Sequence, residues 1–113
     1  MHEMSLAEGM LQIVEDGARR HAAAGVKAVW LQIGALAQVE VDALRFCFDA
    51  VTRGTVAEGA RLEIATPPGL AWCLPCGRKV PIQQRGDACP RCGSHQLQVV
   101  QGDEMRVTEI EVV

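Results

Sequence analysis

Tyrosine is absent from this chain of 113 residues, and the aromatic complement is two Trp and two Phe. With so few rings there is little on which nucleic-acid bases could stack. Positive charge is also short: 11 Lys and Arg stand against 14 Asp and Glu, a formal net charge of -3, which argues against a surface built to grip nucleic acid. No apolar run approaches the roughly 18 residues of a membrane-spanning helix, so no membrane partner is expected. The start, Met1-His2-Glu3, lacks the basic and apolar regions of a secretion signal, and a cytoplasmic protein is expected. Disulfides are rare in that compartment, so five Cys in a chain this short point to metal binding. What is present is apolar material: 49% hydrophobic against 22% charged gives enough for a core. The length fits one ordinary domain, or a small domain carrying a smaller module.

Periodicity divides the chain into elements. Leu6, Met10, Ile13, Val14 and Ala18 recur at helical spacing, and Ser5 with Glu8 has the form of a capping box, which predicts a helix from Ser5 to Ala24 that Gly25 stops. Val26 to Ile33 switches to a period of two and reads as a strand. A second helix is expected from about Glu40 to Thr52 and a second strand from Arg61 to Thr66, ended by Pro67-Pro68-Gly69. From Ala71 to Val100 helical periodicity and large apolar residues both fade, while four of the five Cys appear. Such a segment cannot build a core and needs a staple. Glu104 to Val113 is strand-like again, with apolar residues that change parity midway, which predicts either a bulge or cover on both faces. The expected fold class is α+β, two helices packed on a small mixed β-sheet, with an inserted four-cysteine zinc-ribbon module. The expected domains are 1–66 plus 101–113 and, between them, 67–100.

Residues 73–77 read Cys-Leu-Pro-Cys-Gly and residues 89–93 read Cys-Pro-Arg-Cys-Gly. Two residues between thiols let one tight turn aim both sulfurs at one ion, and the following Gly permits the backbone conformation that turns amide groups toward sulfur. Cys73, Cys76, Cys89 and Cys92 therefore predict a tetrahedral thiolate site suited to structural Zn(II), with an iron–sulfur centre or a redox dithiol as alternatives. With all four positions taken by protein, no position is left for substrate. Cys47, within the second predicted helix, reads as a small core residue.

The amino terminus offers other ligands. The α-amine, the His2 imidazole and the amide nitrogens of His2 and Glu3 can form fused chelate rings of the nitrogen-rich kind that Ni(II) or Cu(II) accepts. By itself this spacing favours a frayed terminus that carries a His by chance. Taken together, however, Met-His-Glu-Met-Ser-Leu at the start, a strand ending Ile33-Gly34, the paired CxxCG knuckles and Gln-Gly-Asp-Glu-Met-Arg before the last strand resemble the HypA/HybF family of hydrogenase nickel-maturation proteins. The resemblance runs the length of the chain. It implies a metallochaperone, not an enzyme, that binds Ni(II) as cargo and delivers it to the [NiFe]-hydrogenase large subunit, working with the GTPase HypB. It implies nickel ligation through His2 and the backbone around Glu3, zinc on Cys73, Cys76, Cys89 and Cys92, and a fold in which homodimers can form. In some family members a His shortly after the last zinc Cys approaches nickel, a place His95 could fill; an exposed turn residue is the alternative.

Two other classes of function compete. Residues 67–100 hold Arg78, Lys79, Arg85 and Arg91 against Asp87 alone, which keeps a zinc-ribbon nucleic-acid-binding or regulatory module in view. Trp72 is the only aromatic residue there, so no nucleic-acid partner is expected. An enzyme would need a catalytic set, and no Ser/His/Asp group, phosphate loop or paired carboxylates in a Gly-rich context is found.

Overall fold

In the computed structural model residues 2–113 are described. Helix α1 runs His2–Arg20 and buries Ala7, Met10, Val14, Gly17 and Ala18 along one face. It starts before the predicted capping box, so Ser5 and Glu8 lie inside the helix and cap nothing, while Glu3 places a carboxylate in the first turn, at the positive end of the helix dipole. It also ends earlier than Ala24. Ala22 adopts a left-handed φ of 50°, the Ala23 N–H donates to the Ala18 carbonyl at 2.9 Å and the Ala22 N–H to that of Arg19 at 3.0 Å. This is a Schellman ending built without glycine, which is why Gly25 does not mark the stop. Ile13, expected on the apolar stripe, is 53% exposed, because the buried stripe passes through Val14 and Gly17. At Gly17 a Cβ would lie 2.8 Å from Ile110 Cδ1, so the glycine lets the helix approach the last strand closely.

Strand β1 is Val26–Ile33, as predicted. Helix α2 is Val41–Thr52, capped by Glu40, whose side chain accepts from the Asp42 N–H, and it buries Leu44, Cys47 and Phe48. The Cys47 thiol is thus part of the core. Strand β2 is Arg61–Ala65. Three further strands follow: β3 at Gly69–Cys73, β4 at Arg78–Ile82 and β5 at Leu97–Gln101. Strand β6 is Met105–Val112. One sheet has the order β2-β1-β6 and the other β4-β3-β5. Lys27 meets Glu111, Thr108 bonds the Trp30 carbonyl and the Gly34 N–H donates to Glu104, all on one unbroken antiparallel register. The parity change in β6 therefore reflects partial cover on both faces, and no bulge is needed there.

The chain forms two compact units, one from the start to Leu31 with Val39–Ile64 and Val107–Val113, the other Gln32–Gln38 with Ala65–Arg106. The first owes its stability to ordinary burial: Met10, Val14, Val29, Leu31 and Leu44 are fully enclosed, each worth about 1.5–3 kcal/mol. The second has far less, with Leu36, Ala71 and Ile82 in one small cluster and Cys73, Val80 and Cys89 in another. The segment 67–100 lies wholly within this unit, which takes in residues 32–38 as well. Those residues are held by backbone crossings. Ala35 donates to the Pro67 carbonyl at 2.9 Å and Leu36 to that of Gly102 at 2.6 Å. A Cβ on Gly34 would collide with the backbone carbonyl of Gly102, and Gly102 itself has a φ of +100°, so both positions require glycine.

Candidate metal centres

Each CxxCG motif folds into the same knuckle. The Gly77 N–H donates to the Cys73 carbonyl at 2.8 Å, and the Gly93 N–H to the Cys89 carbonyl, also at 2.8 Å. Gly77 and Gly93 have φ values of +63° and +77°, which only glycine adopts at little cost. The β3–β4 hairpin carries the first knuckle, and the loop before β5 carries the second. They bring the four sulfurs of Cys73, Cys76, Cys89 and Cys92 within 4.8 Å of one another, the only such group of ligand-type side chains among the described residues. The Cys73–Cys92 sulfurs are 3.6 Å apart and the Cys76–Cys89 sulfurs 4.0 Å apart. Four sulfurs about 2.3 Å from a zinc ion would have tetrahedral edges of about 3.8 Å, so the cluster has the right size for that ion.

The thiols are unequal. Cys76 is pushed up to about 12, first by its hydrogen bond with the Cys92 thiol and then by desolvation. Desolvation also raises Cys73. At Cys89 burial works upward but is outweighed by backbone N–H groups of Cys92 and Arg91, which draw the thiol down to about 7. The Arg91 N–H points at this sulfur at 3.4 Å. One thiolate is therefore prepared by amide dipoles, and a cation is what allows the others to lose their protons beside it.

The second candidate lies at the first turn of α1. The α-amine expected as a ligand belongs to Met1 and lies outside the described residues. His2 is exposed, with its Nδ1 3.6 Å from Glu3 Oε2. The same oxygen accepts the backbone N–H of Glu40, at the cap of α2, at 3.2 Å. That bond, before the smaller help of its own N–H and of His2, holds the Glu3 carboxyl below its ordinary value. Because α1 begins at His2, the N–H groups of His2 and Glu3 have no partner further back in the helix, and that of Glu3 turns to its own carboxylate. The tie to Glu40, 37 residues away, has no signature in the sequence beyond the cap-like position of Glu40 before a helical pattern.

Residues 1–112 match the family model described as "Hydrogenase/urease nickel incorporation, metallochaperone, hypA". The chain belongs to the HypA family. The hydrogenase maturation factor HypA of Azotobacter chroococcum mcd 1 is 64% identical over 112 residues, 99% of each chain. That of Azotobacter vinelandii is 62% identical over the same coverage. Among solved structures, the Ni metallochaperone HypA from Helicobacter pylori superposes with a TM-score of 0.71 at 21% identity, over 98% of this chain and 97% of that one. A further HypA solution structure gives 0.73 at 24%, over 100% and 97%, and at these identities both speak to the fold. Two helices, small mixed sheets and a four-cysteine cluster are the HypA architecture in this chain. Of the remaining candidates, His95 is exposed in the turn before β5, its carbonyl bonded to the Leu97 N–H. No helix among the described residues is long and apolar enough to cross a membrane.

Proposed function

We propose that this HypA-family chain carries Ni(II) at its amino terminus and delivers it, with the GTPase HypB, to the large subunit of [NiFe]-hydrogenase, acting in the cytoplasm as a carrier and not as an enzyme. The observation that carries this reading is the family match over residues 1–112 joined to an exposed His2 at the first turn of α1. His2 supplies an imidazole, and the backbone at His2 and Glu3 supplies nitrogens that need no helical bond to be broken. A cation here meets the positive end of the α1 dipole. The Glu3 carboxylate and deprotonated nitrogens offset that repulsion, and a site so balanced holds nickel without trapping it. The Glu3 side chain positions this turn against the cap of α2, while its backbone faces the metal.

Cys73, Cys76, Cys89 and Cys92 would hold Zn(II), whose contribution is to fold the segment 67–100; with four protein sulfurs, no position is open for substrate. Residues 1–66 with 101–113 form the nickel domain in this reading, and homodimers are compatible with it. The test is complementation: in cells lacking their own nickel-maturation protein, the chain should restore [NiFe]-hydrogenase activity at low nickel, and His2→Ala should not. Equal restoration by the two would refute the reading.

A further inference from the structure

We propose that the uncovered face of the β4-β3-β5 sheet, centred on Trp72 and Lys79, docks an acidic protein segment that carries an apolar anchor. This goes beyond the nickel reading and does not depend on it. The inner face of the sheet is occupied, since Ala71, Cys73, Val80 and Ile82 are buried and Leu97 and Val99 pack against them. Alternation along the strands sends Leu70 and Trp72 to the other side. There Trp72 lies opposite Lys79 on β4 and Gln98 on β5, and Leu70 lies opposite Pro81. A register shift between Leu70 and Ala71 leaves Val100 outside the ladder. Trp72 is 38% exposed on this side, and Val100 and Leu74, just past the end of β3, are 49% and 53% exposed.

Charge selects the occupant. Lys79 stands on this face opposite Trp72, and no carboxylate lies within ion-pair distance of it among the described residues, whereas Arg85 is paired with Asp103. Asp87, the sole acid of residues 67–100, is occupied with the N–H groups of Gln83 and Gln84. A tryptophan anchor beside an unneutralised lysine suits a partner with an apolar side chain set among carboxylates. A second copy of this chain would bring like charges together, and a single-stranded nucleic acid would find one ring where it needs several.

The probe is a synthetic twelve-residue peptide of Glu residues around a central Leu-Phe pair, titrated into the full zinc-loaded chain carrying Trp30→Phe, so that fluorescence reports Trp72 alone. Saturable binding with a blue shift of Trp72, weakened by about tenfold or more in Lys79→Glu and, by calorimetry, in Trp72→Ala, supports the proposal. Both variants alter exposed side chains, and circular dichroism matching the parent shows that they fold. Affinity unchanged in either variant, no saturable binding, or tighter binding to oligo(dT) than to the peptide overturns it.

Discussion

Removing metal from the four-cysteine cluster should unfold residues 65–106 and spare the helical unit. Four larger aliphatic side chains are buried in that second unit, Ile33, Leu36, Val80 and Ile82. At about 2 kcal/mol each they supply about 8 kcal/mol. A structural zinc site supplies on the order of 10 kcal/mol or more. The metal thus contributes more than the apolar clusters do, and the crossings at Gly34 and Gly102 cannot hold strands whose far ends are no longer tied. Amide hydrogen exchange before and after chelation measures this strand by strand. Amides of β3, β4 and β5 should lose nearly all protection, while those buried in α1 and β1 keep theirs. Protection in β3–β5 that falls by less than about tenfold, or about 1.4 kcal/mol, would show that the small apolar clusters suffice and that the reasoning is wrong.

Replacing Ala22, whose φ of 50° ends α1, by Gly should stabilise the chain by about 0.5–1 kcal/mol in urea unfolding, since an L side chain is strained there; a loss of stability would contradict the Schellman assignment. Gly34→Ala should cost more than about 3 kcal/mol, because the clash is with the Gly102 backbone and not with a yielding side chain. A change below about 1 kcal/mol by the same measurement would argue against the crossing. Zinc uptake at pH 7 should release at least about two protons, because Cys73 and Cys76 are held protonated by burial and neighbouring thiols. Binding heats that do not vary with the ionisation enthalpy of the buffer would exclude it.

Local signals are legible in the sequence. The CxxCG repeats disclose the knuckles because each lies within five residues, with its glycine at the position that needs positive φ. Strand β1 is bounded where its period and flanking glycines place it, and α2 starts one residue after Glu40, its capping residue. Periodicity misplaces helix α1 at both ends, because its start carries no side-chain cap and its stop uses alanine in a glycine conformation. Contacts between distant residues leave no trace: the Glu3–Glu40 bond and the Gly34–Gly102 crossing each join segments whose sequences give no hint of one another. The thiol cluster is readable, whereas the surroundings of His2 are not.

The central claim is nickel held by His2 and the backbone beside it, and calorimetric nickel titration of the untagged, zinc-loaded chain tests it most directly. The parent is compared with His2→Ala and with a chain extended by one residue at its amino terminus, which keeps every side chain but moves the amine. The account predicts one nickel site in the parent and an affinity lower by about tenfold or more in both altered chains. Equal affinity in all three would contradict it.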